Sequence, residues 1–340
     1  MPRRGSRARS SPVRRFGRSL YHWIVAFCAV VVVLFCAYRL AVKPPSMAVG
    51  DVGQAQPGIA AQTGSDTQDE WQRKPATYIF LLAASDQSSG NADTIMVCTY
   101  DTVNQSIGLV SIPRDTLVDR KIPKINAVYH RGVEEMMDVA SDMLGIPIDH
   151  YVTADMQGFA ALVDELGGID FEVPVLMNYD DPVQELHIHF SPGMQHLTGQ
   201  QALEVARCRK NYDSAGNIYD AYPDADIGRT RTQQALLSAI LQKALANPQK
   251  VARYFSILTS YVTTDLSAGE LLWFMEPILS FSPTGGLAAG TLPGDGTITY
   301  RGIAWCYQLD REASLEMINT MLNPYTREIT MDMTNMLQVG

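Results

Sequence analysis

A long apolar run near the start of the chain limits what the rest can fold into. From Leu20 to Val42 the sequence is apolar apart from His22 and Arg39, which lie near the two ends of the run. About 20 apolar residues in a helix cross the hydrocarbon core of a bilayer, whereas a secretory signal carries only about 7–15. We therefore expect an uncleaved transmembrane helix at residues 20–42, with water-soluble structure confined to the remainder.

Charge assigns a side of the membrane to each part of the chain. The first nineteen residues hold seven arginines and no acidic residue, which predicts a cytoplasmic tail at residues 1–19. The folded part then lies outside the cell, in a single-pass protein of the cell membrane. A nucleic-acid-binding role is the other interpretation of the arginines, but the adjacent span already accounts for them.

The exported part is strongly acidic. All 36 Asp and Glu residues follow Val42, against 19 of the 27 Lys and Arg residues, which gives a net charge of −17. A general polyanion-binding surface is therefore excluded, and we expect no nucleic-acid partner. Any basic cluster in this part needs a local reason to exist.

Strand and helix patterns alternate from Ala76 onwards. Residues 43–75 are rich in Pro, Gly, Gln, Ala and Ser and predict an extracellular linker, residues 76–325 one folded domain, and residues 326–340 a C-terminal tail. Short strands interleaved with helices predict an α/β domain with a single core and helices on both faces of a sheet. Buried strands are expected at 77–84, 94–100 and 107–112, strand-like segments at 285–292 and 297–305, and helices at 133–144, 156–166, 199–207, about 229–245, 271–279 and about 310–322.

Two histidines on an alternating segment have the spacing of metal ligands. His187 and His189 lie in LHIHF, where one face of a strand would carry both. Alternation of this kind more often marks a strand with one exposed face, and we favour that interpretation.

Two aspartates lie at the ends of the first two strands. Asp86 follows the first strand by two residues, and Asp93 opens the second. If the strands are neighbours, both carboxylates lie at one edge of the sheet, an arrangement that suits Mg²⁺, which prefers oxygen ligands and completes its shell with water and phosphate. The sequence leaves open the alternative that both are ordinary turn or cap residues.

Basic residues follow at three points. Arg114 comes directly after the third strand, in SIPRDT. Arg207 and Arg209 lie at the end of one predicted helix, and Asp226 and Arg229 at the start of the next.

One stripe of the helix that begins near Arg229 is polar at its start and apolar further along. Arg229 and Gln233 are followed on the same stripe by Leu237, Ile240 and Leu241. Arginines that bind phosphate oxygens at the mouth of a site, with an apolar groove behind them for a lipid tail, would explain this pattern. A structural pair between Arg229 and Asp226 explains it equally well.

Several ordered blocks together resemble a known family. They run from about Thr77 to Tyr325 and read LLAASD, ADTIMV, SIPRDT, KIN, the stretch from LGIPIDHYV to LVDELGGIDFEVP, SPGMQHLTGQQALEVARCR, and DIGRTRTQQ. In this order they resemble the LytR–CpsA–Psr family of cell-wall glycopolymer ligases. The basic N-terminus with one span also matches that family.

The resemblance implies a fold, a reaction and a set of site residues. The expected fold is a three-layer α/β/α sandwich with a central mixed sheet and an apolar pocket for a polyprenyl phosphate. The expected reaction moves a phosphoglycan from a polyprenyl-pyrophosphate carrier to a peptidoglycan hydroxyl, with Mg²⁺ as cofactor. The metal ligands would be Asp86 and Asp93, and the phosphate-binding arginines Arg114, Arg207 and Arg229, supported by Asp226 and Gln233.

The chain departs from the family pattern at several positions. Asn91 and Ala92 precede Asp93 where an Arg-Ser pair is usual, and Val118 stands where a further arginine is often found, with Arg120 as a possible substitute. Residues 210–225 form an extra segment. Two alternatives remain open: a pyrophosphatase that uses the same residues with water as acceptor, and a non-catalytic regulatory protein that binds polyprenyl phosphate. Asp93 is also a candidate general base.

Overall fold

The computed structural model describes residues 42–48, 72–85, 90–154, 156–182, 186–224, 226–247 and 250–339. The predicted cytoplasmic tail and all but the last residue of the predicted span lie outside these ranges. In the described residues, no helix combines the length and apolar character needed to cross a bilayer. Residues 46–266 and 275–339, with the gaps given above, make one compact unit; residues 42–45 and 267–274 belong to another.

A six-stranded mixed sheet lies at the centre of the larger unit. Its strand order is β11-β4-β1-β2-β3-β12. The antiparallel neighbours are β1–β2, β2–β3 and β4–β11, and the parallel ones are β1–β4 and β3–β12. The strands are β1 (Thr77–Ser85), β2 (Ala92–Asp101), β3 (Ser106–Ser111), β4 (His150–Ala154), β11 (Val262–Thr264) and β12 (Leu287–Thr291).

The helices of the described residues agree in most places with the sequence pattern. They are α1 (Val133–Leu144), α2 (Met156–Glu165), α3 (Gly199–Arg207), α4 (Asp226–Leu245), α5 (Val251–Tyr261), α6 (Ala268–Leu279), α7 (Pro283–Gly286) and α8 (Arg311–Met321). The bounds of α1 are those predicted, and it ends at Gly145 in the left-handed conformation. A capping box of Thr198 and Gln201 begins α3. Helix α4 starts three residues earlier than expected, and α5 was not predicted.

Helices cover both faces of the sheet, as the sequence predicts for an α/β domain. One face carries Ile79, Leu81 and Ala83 of β1, which share a core with residues of α1 and α8. On the other face, Gln234 of α4 donates to Ser111 Oγ at 2.8 Å, and the ring of Tyr100 meets that of Phe281 edge to face. The mixed central sheet with flanking helices confirms the α/β part of the predicted fold class.

A second core lies beside the first, so the prediction of a single core is wrong. It is built around two two-stranded sheets, made from β5 (Ile169–Val173) with β8 (Gly193–Leu197) and from β6 (Met177–Asp181) with β7 (Leu186–Phe190). Buried residues of these four strands pack with α2, α3, α4 and α5. A further ribbon of β9 (Lys210–Tyr212) with β10 (Ile218–Asp220) adds none of its described residues to this core. The alternation of LHIHF predicts the strand β7, but alternation does not specify how the strands pair into separate ribbons.

The folded region extends beyond the predicted domain boundaries at both ends. Asp149 Oδ1 accepts a hydrogen bond from Ala48 N at 2.6 Å, and the Asp149 carboxylate forms an ion pair with Arg73. Ile329 and Met336 are buried in the first core, within the segment predicted as a tail. The linker predicted at 43–75 is therefore tied to the domain near both of its ends, and the domain does not stop at Tyr325.

The segment TITYRGIAW is a hairpin where one strand was expected. Strands β13 (Gly294–Tyr300) and β14 (Ile303–Leu309) are joined by Arg301 and Gly302, both with positive φ. Two consecutive positive φ angles are typical of the tight turns that connect antiparallel strands. Because the first of these positions is an arginine and not Asn or Gly, the sequence does not predict the turn.

Candidate functional site

Three strand ends meet at one edge of the central sheet. Because β2 runs antiparallel to both of its neighbours, its start lies beside the ends of β1 and β3: Ala84 pairs with Thr94, and Met96 pairs with Ser111. The residues just before β2 and just after β3 therefore share an edge. This places Asp93 and Arg114 together, while Asp86 lies outside the described residues.

Asp93 and Arg114 are in direct contact. Arg114 Nη1 donates to Asp93 Oδ1, and both side chains are partly exposed. The loop behind Arg114 is held by the KIN segment, since Asn126 N donates to Arg114 O at 3.0 Å and Lys124 Nζ lies 3.1 Å from Asp115 Oδ1. The SIPRDT and KIN blocks thus contact each other, and these contacts hold the backbone of Arg114 in place.

The first turns of α4 supply the opposite wall of the site. Arg229 is only 5% exposed, and Gln233 lies one turn further along the helix. Gln233 accepts from Thr94 Oγ1 at 3.3 Å and donates to Ala206 O at 3.0 Å. Gln233 therefore links α4 both to β2 and to the end of α3.

Gly228 allows the segment at 222–224 to pack closely against the first turn of α4. A Cβ at Gly228 would lie 2.6 Å from Asp224 Oδ1 and from Tyr222 Cβ, so no larger residue fits without displacement. Tyr222 is buried beside Arg229, and burial raises the pKa of Tyr222 to about 12, although the positive charge of Arg229 opposes the shift.

Between these walls lies a small cleft with about 220 Å³ of empty space, part of it open to solvent. Its lining is formed by Asp93, Thr94, Ile95, Met96, Ser111, Ile112, Arg114, Arg229, Thr230 and Gln233. Two guanidinium groups and one carboxylate give the cleft a local positive charge within a strongly acidic domain. Planar guanidinium groups bind phosphate oxygens in pairs, so the chemistry suits a phosphate or pyrophosphate.

Other predicted site residues lie away from this lining. In the described part of the chain, Arg207, Arg209 and Leu237 are not among the residues around the cleft. Arg207 follows Ala206, whose carbonyl binds Gln233; Arg209 is exposed and lies near Tyr179. Leu237 is half-buried one turn beyond Gln233. The backbone of Asp226 starts α4, but its side chain is outside the description.

The structure also shows where the residues that depart from the family pattern lie. Val118 is buried in the first core, and Arg120 pairs with Glu135 at 3.2 Å, outside the cleft lining. Arg120 therefore does not supply the missing charge in this structure. Most of the extra segment at 210–225 forms the β9–β10 ribbon, whose strands are tied by the Lys210–Asp220 ion pair.

Several polar residues in the cleft or next to it were not predicted as site residues. Thr94 and Ser111 were assigned only to buried strands, and Gln234, which donates to Ser111 Oγ and to Gly290 O, was not singled out. The sequence did contain a signal for Thr94 and Ser111. Both are polar residues in otherwise apolar strands, and such residues need a hydrogen-bond partner when they are buried.

The His187–His189 face is an exposed strand face, as predicted. Both side chains are more than half exposed; His187 Nδ1 lies 2.7 Å from Asp180 Oδ1, and His189 Nδ1 lies 2.9 Å from Asn178 Oδ1. In the described ranges, no group of three or more His, Cys, Asp or Glu residues is arranged to hold a metal ion.

Comparison with known proteins supports the assignment of the fold and family. The chain is 30% identical over 270 residues to the polyisoprenyl-teichoic acid–peptidoglycan teichoic acid transferase TagV of Bacillus subtilis, covering 75% of this chain and 66% of TagV. It is 27% identical over 315 residues to TagU of Bacillus mycoides, covering 89% and 97% of the two chains. The crystal structure of B. subtilis TagV superposes with a TM-score of 0.60 at 26% identity, over 74% of this chain and 96% of that one.

The sequence profile of the LytR_cpsA_psr family matches residues 54–323, most of the chain and every described residue of the cleft. The chain belongs to the LytR–CpsA–Psr family.

Proposed function

We propose that this chain is a membrane-anchored phosphotransferase that attaches a glycopolymer to peptidoglycan. The donor is a glycopolymer linked through a pyrophosphate to a polyprenyl carrier, and the acceptor is a hydroxyl group of peptidoglycan. The names of TagV and TagU describe this type of transfer for those two proteins. The observation that carries the proposal here is the convergence of Arg114, Arg229 and Asp93 on one cleft.

The reaction breaks a phosphoanhydride bond of the donor and forms a phosphate ester with the acceptor. The acceptor hydroxyl attacks the phosphorus that bears the sugar, a new P–O bond forms, and the bond to the bridging oxygen breaks. Polyprenyl phosphate leaves with that oxygen, and the hydroxyl proton passes to a base or to water. Charge accumulates on the phosphate oxygens, and Arg114 and Arg229 are positioned to balance it.

Magnesium fits the residues that are present. Asp93 offers a carboxylate in the cleft beside the proposed phosphate site, and Mg²⁺ needs only one or two protein carboxylates when phosphate and water supply its other ligands. Asp86, the residue that follows β1 in the sequence, would be the second ligand. When bound, the ion neutralises negative charge on the pyrophosphate.

The proposed location of the domain follows from the sequence. The arginine-rich tail stays in the cytoplasm, residues 20–42 cross the membrane once, and the described domain faces the wall. A lipid-linked donor is then confined to the same membrane as the enzyme. Arg207, Arg209, Asp226 and Leu237 are proposed to contribute to donor binding outside the described cleft.

The test uses the full-length chain in detergent micelles with a defined polyprenyl-pyrophosphate glycan. Release of polyprenyl phosphate and transfer of the glycan to peptidoglycan are measured with and without Mg²⁺. Transfer that requires both Mg²⁺ and peptidoglycan supports the proposal. Release at equal rates without peptidoglycan identifies a pyrophosphatase, and lipid binding with no release identifies a non-catalytic protein.

A further inference from the structure

Trp305 is the most exposed large apolar side chain among the described residues. It is 71% exposed, whereas its neighbours Cys306 and Tyr307 are buried. Its φ angle is +59°, in the left-handed region that bulky side chains rarely adopt. A large ring that is exposed and held on an unfavourable backbone conformation suggests a function for the ring rather than for the fold.

A β-bulge gives Trp305 its unusual position. Tyr300 pairs with Ile303 and Ile298 pairs with Cys306, so two steps along β13 correspond to three along β14. The extra residue falls in the Ala304–Trp305 pair, and both of these residues are exposed. Bulges turn a side chain away from the regular alternation of a strand, and they are common next to active sites.

The bulge is attached to the loop that carries Arg114. Tyr307 N donates to Asp115 O at 2.8 Å, and Leu117 N donates to Tyr307 O at 2.8 Å. Lys124 Nζ donates to Trp305 O at 2.9 Å and lies 3.1 Å from Asp115 Oδ1. The backbone of Trp305 is thus bonded to Lys124, whose ammonium group also pairs with the carboxylate of Asp115, the residue next in sequence to Arg114 of the cleft.

This combination matches the surface of a sugar. A pyranose ring has an apolar face that packs on an aromatic ring and hydroxyl groups around its rim that bind charged side chains. A lipid surface would not need a carboxylate and an ammonium group next to the backbone of the exposed tryptophan. A flat apolar partner protein would need a larger patch than a single tryptophan.

We propose that Trp305 is a stacking platform for a sugar of the glycan substrate, with Asp115 and Lys124 as hydrogen-bond partners of its hydroxyl groups. The inference rests on the proposed function, because it assigns the glycan that lies beside the phosphate cleft. Both substrates of that reaction carry sugars, the donor glycopolymer and the peptidoglycan acceptor. The experiment therefore measures the two glycans separately.

The probes are a lipid-free peptidoglycan oligosaccharide and the donor glycan without its lipid and phosphates. Each is titrated by calorimetry into the full-length wild type and into Trp305→Ala, Trp305→Phe and Val103→Ala. Val103 is 68% exposed at the opposite end of the sheet and serves as the matched control. We expect Trp305→Ala to weaken binding of one of the two glycans about tenfold, Trp305→Phe to weaken it less, and Val103→Ala to leave it unchanged.

Inorganic pyrophosphate is titrated into the same proteins. Its affinity reports on the phosphate site of the cleft, independently of the proposed sugar site at Trp305. Unchanged pyrophosphate affinity in Trp305→Ala, with weakened glycan binding, supports a separate sugar site. Wild-type affinity of Trp305→Ala for both glycans overturns the inference, and so does a wild-type protein that binds neither. Glycan binding that depends on Trp305 in a protein without transfer activity would reject the proposed function alone.

Trp305→Gly tests whether the positive φ angle at this position destabilises the fold. Glycine adopts positive φ readily, so this variant should melt at a higher temperature than Trp305→Ala while binding the glycan no better. A lower melting temperature for Trp305→Gly than for Trp305→Ala would contradict the assignment of strain at this position.

Discussion

Two arginine–aspartate pairs lie at opposite ends of β1, and they differ in what surrounds them. At the start of the strand, the Asp149 side chain is fully buried, pairs with Arg73, and accepts from the backbone N–H groups of Ala48 and Ile79 at 2.6 and 2.7 Å. Near the end of the strand, the partly exposed pair of Arg114 and Asp93 lines an open cleft.

The difference lies in how much of each pair the protein itself satisfies. Arg73 also donates to Ala48 O and Thr77 O, so its charge is used within the fold. In the described part of the chain, the side chain of Arg114 donates one hydrogen bond, to Asp93. A pair that makes most of its hydrogen bonds within the protein is part of the fold, whereas a pair with more unused donors at a cleft can bind a ligand.

Loss of Asp149 should have the largest effect on stability. Asp149→Ala removes the partner of a largely buried arginine and leaves two backbone N–H groups without acceptors, so we expect a loss of about 3–5 kcal/mol in the free energy of unfolding. Chemical denaturation of the full-length chain measures it. Asp93→Ala is the matched control and should cost no more than about 1 kcal/mol. Equal losses in the two variants would remove the distinction between the pairs.

Loss of Arg114 should instead act on turnover. Arg114→Ala should lower kcat for glycan transfer by about 10²–10³-fold, because a charge-stabilising donor is lost, with little change in unfolding. The comparison variant is Arg114→Lys, which keeps the charge but not the paired geometry. Arg229 is a poorer target for alanine because it is buried, so Arg229→Ala should slow transfer and also destabilise the fold. Wild-type turnover in Arg114→Ala would contradict its role.

Removal of the cleft carboxylate should change the metal requirement. Asp93→Asn keeps the shape of the side chain but weakens metal binding, and we expect the Mg²⁺ concentration for half-maximal transfer to rise about 10–100-fold. Transfer rates at graded Mg²⁺ concentrations measure this. Asp149→Asn should leave the requirement unchanged in whatever protein remains folded. Activity that persists in EDTA would contradict the metal proposal.

The smallest expected effect concerns a neutral hydrogen bond at the cleft. Thr94→Val keeps the shape of the side chain and removes the 3.3 Å hydrogen bond to Gln233, which should cost about 0.5–1.5 kcal/mol in stability or in transition-state binding. Thermal unfolding and kcat/KM measured on the same sample separate the two. Ser238→Ala, further along α4, is the control for loss of a hydroxyl group.

The sequence predicted those parts of the molecule that depend on local patterns. The bounds of α1 follow from its periodicity and Gly145, and the shared edge of Asp93 and Arg114 follows from three consecutive buried strands. The pairing of β5 with β8 and of β6 with β7, and the position of Asp149, depend on contacts between distant residues. The bulge at Trp305 depends on the register of a hairpin whose turn begins with Arg301 instead of the expected Asn or Gly.

On the proposed anchor, the contacts of Ser46 and Ala48 limit how far the described domain can lie from the membrane. His150 Nε2 lies 2.9 Å from Ser46 O, and Arg73 Nη1 donates to Ala48 O at 2.7 Å, so Ala48 and Arg73 are in direct contact although 25 positions separate them. Extra length between these two points adds nothing to the reach of the domain. On the proposed anchor, only the residues between Val42 and Ser46 count, and they extend at most about 14 Å. If residues 20–42 span the membrane as proposed, a transferase held in this way would act on wall strands close to the bilayer.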